Sequence, residues 1–385
     1  MAISLAEAPM AGDRGAGWAY VRSGGDVFEA DGMWYLTSLE AVQFAHRHPE
    51  LFSSAAIQQM LGAPVPLVPL AIDPPNHLRF RKVLDPMFAP RVINAMEDSL
   101  RAQVREMITG FADRGSCDVM ADLARLYPTQ VFLTLFGMPI EHRDMYLGWV
   151  ETLIEKSATP EASDEVMAAG LALFAYLQEF ITEKRATPGD DLLSKIMAIS
   201  GDEAWTDDEL MGMCFLFTLA GLDTVTATIG FVMYHLAHDA ELRRRLIADP
   251  SLVGPTIEEI IRLENSAPTT PRNTTRDVEV CGVTIPAGSV VMLVLGSANR
   301  DETRFANPNS IDVDQAERGH LGFGGGIHRC LGSHLARREL RLVVEEFHRL
   351  IPDYSIAPGV EPKVVWPSGT LHFKSLPLEF PAVSA

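Results

Sequence analysis

The sequence predicts a mainly helical protein with a small β portion, folded as one domain over residues 1–385. From about Leu39 to Leu263 apolar residues recur mostly at helical spacing, as in Val92–Phe111, Ala168–Lys184 and Thr206–Ala237. β-type runs are confined to two places, near residues 17–37 and 278–295. No Pro/Gly/Ser linker, low-complexity tract or solenoid-period repeat divides the chain.

In chain order, Val27–Phe28 and Met33–Leu36 read as short strands separated by Asp and Gly turns. After the helical stretch, Val278–Val280 and Val283–Ile285 flank Cys281-Gly282, and a strand over Val290–Leu295 follows Pro286-Ala287-Gly288. An irregular segment then runs from Ser297 to Gly326. A last helix starts near Cys330 and puts Leu335, Val343, Phe347 and Leu350 on one face.

With 47% hydrophobic residues the chain has ample material for a large core. Its 51 acidic against 32 basic residues, net −19, argue for solubility and against a nucleic-acid surface. The cysteines at 117, 214, 281 and 330 show no pairing pattern, which fits a reducing compartment. Met1–Met10 has no signal-peptide pattern, and the longest apolar run, Met211–Gly221, is too short to span a bilayer. A cytoplasmic protein without a membrane anchor is therefore expected.

The strongest local signal is Phe323-Gly324-Gly325-Gly326-Ile327-His328-Arg329-Cys330-Leu331-Gly332, a glycine-rich turn delivering one Cys to a helix start. Glycines there permit unusual backbone angles and close approach to a flat ligand. A helix N-terminus favours the thiolate, and Gly332 leaves room for N–H groups to point at the sulfur. On residues alone, a buried structural Cys and a catalytic nucleophile remain open. A zinc site lacks ligands at the usual spacing, for His328 and His334 flank the Cys without partners.

Other constellations carry weaker signals. Thr206-Asp207-Asp208-Glu209 reads as a capping box opening a long helix. Within that helix, Ala220-Gly221-Leu222-Asp223-Thr224 combines a glycine, a carboxylate and a hydroxyl in an apolar setting. A packing glycine beside a solvent-facing Asp is the plain alternative. Glu259 and Arg262 lie three apart on one helical face, the spacing of a surface pair. Asp73-Pro74-Pro75-Asn76-His77 starts a helix on which His77 and Arg81 share a face.

Taken together, these motifs resemble the cytochrome P-450 family over Asp73 to Arg337. Phe323, Gly324, Gly326, His328, Cys330, Gly332, Leu335, Ala336 and Arg337 match its haem-binding signature. The resemblance implies the cytochrome P-450 fold, haem b (iron protoporphyrin IX) as cofactor and Cys330 as axial iron ligand. It implies further that Phe323 packs near the sulfur and that His328, His77, Arg81 and Arg272 hold the haem propionates. Asp223 and Thr224 would relay protons and position O2, with Ala220 and Gly221 giving the oxygen space. Glu259 and Arg262 would lock the helix behind the haem. Their usual third partner, an Arg or His, aligns with Ser310, a departure that leaves it unassigned.

The implied activity is insertion of one oxygen atom of O2 into a C–H bond of a small to medium hydrophobic substrate, terpenoid-like, steroid or fatty-acid-like. A peroxide-driven peroxygenase or a non-catalytic haem sensor are the alternatives. The substrate pocket is expected around Val65, Leu67, Leu70, Phe217, Thr218, Pro268, Thr269 and Thr370. Two stretches, 221–225 and 351–359, resemble the camphor-hydroxylase branch, but no Tyr lies between Ser53 and Asp73 to anchor a ketone. The chain shows neither flavin nor nicotinamide motifs, so electrons are expected from a two-iron ferredoxin, docking near Arg79, Lys82, Arg91, Arg329 and Arg338.

Overall fold

Among the described residues, ten short strands, β1 Val27–Ala30, β2 Met33–Leu36, β3 Phe52–Ser53, β4 Ser116–Asp118, β5 Thr270–Thr274, β6 Val278–Val280, β7 Val283–Ile285, β8 Val290–Leu293, β9 Ser355–Ile356 and β10 Pro377–Glu379, decorate a helical body. A computed structural model describes residues 3–61, 63–155, 163–313 and 319–383. Among these, β1-β2-β8-β5-β3 form one sheet, β4-β10-β9 a second and β6-β7 a third. The β1–β2 and β6–β7 turns use Asp31-Gly32 and Cys281-Gly282, all four with positive φ. Such a turn matches the strands' own twist.

The β6–β7 hairpin has the predicted bounds, whereas other elements differ for identifiable reasons. Residues 14–22 are helical, with Asp13 accepting from the Ala16 N–H, so the first β portion begins only at Val27. The helix expected over Val92–Phe111 divides at Met96 into Pro90–Ala95 and Glu97–Ala112. Pro90 starts the first piece, and Glu97 and Asp98 suit the positive end of the second. β8 stops at Leu293, and a helical turn Leu295–Ala298 follows. β5, which contains Pro271, pairs antiparallel with β8 and sets Arg272 opposite Val291.

The helix Asp207–His238 is the spine of the molecule, and its capping box forms as predicted. Leu216 and Leu222 belong to an apolar cluster with residues of Leu126–Phe136 and Ser163–Ala186. Val225, Ile229, Val232 and Leu236 belong to another, with residues of Glu97–Ala112 and the last helix, Ser333–Leu350. Among the described residues, the helices Ser163–Ala186 and Asp207–His238 are long and apolar enough to cross a membrane, so the uninterrupted run Met211–Gly221 understates the apolar length of the second. In Asp207–His238, 61% of the apolar window is buried within the fold, as suits a core helix, against 22% in Ser163–Ala186.

Candidate active site

The cysteine loop is built by two glycines in the left-handed region, one of them also without room for a side chain. Gly324 and Gly326 have φ of 67° and 62°, and a Cβ on Gly326 would lie 2.2 Å from the His46 carbonyl oxygen. Helix Leu39–Arg47 thus supports the loop from beneath. The Cys330 N–H donates to the Phe323 carbonyl at 2.9 Å and closes the turn. Cys330 is exposed on this loop, open to a ligand. Burial pushes its thiol up, opposed by the Gly332 N–H donating to the sulfur and by the charges of Arg81, Arg337 and Arg329.

Beside the loop, cationic and imidazole groups converge with little negative charge to balance them. The His77 and His328 rings meet edge to face at 4.5 Å between centroids. Neither nitrogen of His328 has a partner, nor has Nε2 of His77 or Nδ1 of His46, and all these atoms are buried. Arg272 is 5% exposed and donates to the Thr270 hydroxyl and the Pro271 carbonyl, with no ion pair among the described residues. Burial, with Arg272 and His77 adding, holds His328 at about 3, and burial with Arg272 holds His46 at about 4. Asp73 is the carboxylate in this group, engaged by the Ser53 hydroxyl and by the Ser54 N–H and hydroxyl at 2.8 and 2.7 Å. Orphaned buried nitrogens around an unpaired guanidinium fit a ligand that brings carboxylates. The propionates of haem are such groups. The Arg81 guanidinium pairs with Asp85 at 2.8 Å and donates to the Arg329 carbonyl at 3.0 Å. It braces the loop that carries Cys330.

The titration of buried imidazoles has a measurable consequence. Burial, with a neighbouring arginine, holds both His46 and His348 at about 4. In the unfolded chain they titrate near ~6.5, so between these values the unfolded state binds more protons and stability falls as pH falls. Glu258 and Glu346 lie at about 2, their arginine hydrogen bonds outweighing burial, and their contribution is lost only in more acidic solution. The denaturation midpoint is therefore expected to be lower at about pH 5 than at about pH 7.5. Equal midpoints would contradict the buried neutral state of these histidines.

The Ala220–Thr224 segment lies within a continuous helix, without a break. Its departure from ordinary packing is chemical: Ala220 and Gly221 are exposed in an otherwise mostly buried helix, and a Cβ on Gly221 would meet nothing within 4 Å. Asp223 and Thr224 are half-buried. The Thr224 hydroxyl donates to the Ala220 carbonyl at 3.0 Å, leaving its lone pairs as acceptors. Leu331, next to Cys330, packs on the apolar cluster that contains Leu222, which brings the two motifs into one region.

Glu259 and Arg262 are fully buried and bidentate, at 2.9 and 2.8 Å. The third partner missing from the sequence is the main chain. Arg262 donates to the carbonyls of Asn299, Pro308 and Ser310 at 3.0, 2.9 and 2.8 Å, and Glu259 accepts from the Asp312 N–H at 3.0 Å. Ser310 thus acts through its carbonyl.

Among the expected pocket residues, Leu67 is fully buried in an apolar cluster and lines no open space. Its neighbour Pro66 crosses Asp207–His238 so closely that a Cβ on Gly212 would lie 1.8 Å from the Pro66 carbonyl oxygen. Thr218 is likewise buried, bonded to the Tyr146 hydroxyl and the Cys214 carbonyl. Phe217 is half-buried and packs 5.9 Å from both Phe88 and Phe136. Pro268 is buried, whereas Val65, Leu70, Thr269 and Thr370 are half-buried. Thr228, one turn after Thr224, reaches Ser266 at 3.4 Å, whose carbonyl accepts the Leu371 N–H at 2.9 Å. The 266–269 and 369–371 segments are thereby tied to the spine helix.

On the side of Ser333–Leu350, a cleft of about 300 Å³ is lined by Ile93, Glu258, His334, Arg337, Arg338 and Arg341, among others. Lys82, Arg91 and Arg329 are exposed. Arg79 and Arg338 are neutralised, the first by Glu209 at 2.7 Å, the second by Glu97.

The family model for cytochrome P450 matches residues 33–364. A probable cytochrome P450 127A1 of Sinorhizobium fredii is 34% identical over 86% of this chain and 80% of its own length. A vitamin D(3) 25-hydroxylase of Pseudonocardia autotrophica is 33% identical over 88% and 85%. The crystal structure of the myxobacterial cytochrome P450 CYP267B1 in complex with myristic acid superposes with a TM-score of 0.89, 27% identity and 98% coverage of both chains. The chain belongs to the cytochrome P450 family, whose members bind haem b through a cysteine thiolate, and is an oxidoreductase of the monooxygenase kind.

Proposed function

We propose that this protein is a cytoplasmic haem-thiolate monooxygenase in which Cys330 is the iron ligand and a separate two-iron ferredoxin delivers electrons. Its substrate is a compact hydrophobic molecule, terpenoid-like, steroid or fatty-acid-like. The observation that carries this reading is the accessible Cys330, with the Gly332 N–H on its sulfur, beside the orphaned nitrogens of His328 and His77 and the unpaired Arg272. The haem, when bound, activates O2 for insertion into a C–H bond. His328, His77 and Arg272 hold its carboxylates, and Arg81 and His46 brace the cysteine loop. Ala220 and Gly221 leave room above it. Thr224 accepts a hydrogen bond from an ordered water, and Asp223 carries protons inward. Phe217, Thr269, Thr370, Val65 and Leu70, each half-buried, shape the substrate space.

A relative named as a vitamin D(3) hydroxylase and a neighbour bound to myristic acid support apolar substrates on the order of fifteen to thirty heavy atoms. Burial contributes about 0.8 kcal/mol per CH2, so close homologues should be discriminated only modestly. A screen of steroids, terpenoids and fatty acids for the spectral change that follows displacement of iron-bound water tests the class. Tight binding only of highly charged molecules would contradict it.

The exposed Lys82, Arg91 and Arg329, next to the arginine-lined cleft, form the surface proposed for an acidic ferredoxin. Turnover with such a donor is expected to weaken as ionic strength rises and the Debye length shrinks below ~10 Å. Salt-independent turnover would rule out this surface.

A further inference from the structure

One carboxylate, that of Glu258, holds both arms of the cysteine loop. Arg337, on the helix that follows the loop, donates to it from Nε at 2.6 Å and from Nη2 at 2.8 Å. His320, on the chain entering the loop, reaches the same carboxylate through Nε2 at 3.1 Å. The Gly322 N–H donates to His320 Nδ1 at 2.9 Å, so in the neutral ring the proton sits on Nε2 and is given to Glu258. The chain is wedged here as well, for a Cβ on Gly322 would meet Ile261 at 2.4 Å.

The connection continues to the sulfur. The Arg337 guanidinium lies 4.3 Å from the centre of the Phe323 ring, a cation–π contact. The Phe323 carbonyl in turn accepts the Cys330 N–H at 2.9 Å. The anchor does not drift, because the adjacent Glu259 is fixed by the buried pair with Arg262. The His320 side chain is 4% exposed, and those of Glu258 and Arg337 are 24% and 29% exposed, which limits solvent screening.

We infer that Glu258, acting through Arg337 and His320, is the positioning residue that sets the conformation and charge environment of the Cys330 thiolate. The inference rests on Cys330 being the iron ligand. Two consequences follow from removing the Glu258 charge. The Arg337 cation would be uncompensated near the sulfur, drawing electron density from the thiolate and raising the reduction potential of the iron. The loop arms would also part, and the ligand would be lost more readily.

The test uses the haem-loaded protein with Glu258→Gln, and Glu97→Gln as a control. Glu97 also bridges arginines of the same final helix, Arg338 and, on its own helix, Arg101, but touches no residue of the loop. For Glu258→Gln the reduced carbon-monoxide complex is expected to lose its red-shifted thiolate band about tenfold faster than native, a barrier change of about 1.4 kcal/mol, with a positive shift in potential. For Glu97→Gln both readings should stay native while the thermal midpoint falls. If Glu258→Gln loses only thermal stability, with native band lifetime and potential, the positioning role is overturned. Should Glu258→Gln fail to fold, His320→Leu decides: a shortened band lifetime supports the inference, and a native lifetime overturns it. A wild-type complex without the red-shifted band would instead contradict the ligand reading of Cys330, so the two failures are distinct.

Discussion

Replacing Cys330 by Ser or His is expected to abolish monooxygenation while leaving the fold, and with it haem binding, in place. The turn that presents residue 330 is closed by its own N–H on the Phe323 carbonyl and by the positive-φ glycines 324 and 326, none of which needs the sulfur. The groups proposed for the haem carboxylates, His328, His77 and Arg272, are equally untouched. What disappears is thiolate electron donation, which favours O–O cleavage in this family. Each variant should therefore bind haem and give no product with electron donor and O2. Product formation by Cys330→Ser at the native rate would contradict the assignment.

Thr224→Ala and Asp223→Asn should both be severe, and should fail in different ways. The Thr224 hydroxyl spends its proton on the Ala220 carbonyl, so what it offers the site is an acceptor. Ala is a better helix former, and the helix is continuous here, so the fold should persist. With the acceptor gone, oxygen should still be reduced, but reducing equivalents should appear as peroxide in place of product. Asp223→Asn retains shape and removes the charge that brings protons in. Turnover should slow with product yield per electron largely kept, and the solvent isotope effect should change. Groups that transfer protons contribute roughly 10²–10⁴-fold, which sets the scale for each. Measuring product against reductant consumed separates the two. Native coupling in Thr224→Ala would remove it from the relay.

The chemistry of this site was more legible in the sequence than its walls. The glycine loop, the capping box and the β6–β7 hairpin depend on short-range backbone needs that particular residues announce, and each lies where its residues put it. The partners of Arg262 were invisible because they are main-chain carbonyls, which every residue carries. His46 gave no signal, since its place under Gly325 and Gly326 depends on a contact across nearly the whole chain. Leu67 and Val65 are both aliphatic and differ in burial, so spacing alone could not divide core from pocket. Arg79 reads as a free docking cation, yet Glu209 neutralises it. Residues 62, 156–162 and 314–318 lie outside the described residues.

The central claim is that Cys330 binds haem iron as a thiolate, and the absorption spectrum of the reduced carbon-monoxide complex of the native protein tests it most directly. The account predicts the red-shifted Soret band of thiolate ligation, absent in Cys330→His. A native spectrum like that of a histidine-ligated globin, or a protein that takes up no haem, would contradict it.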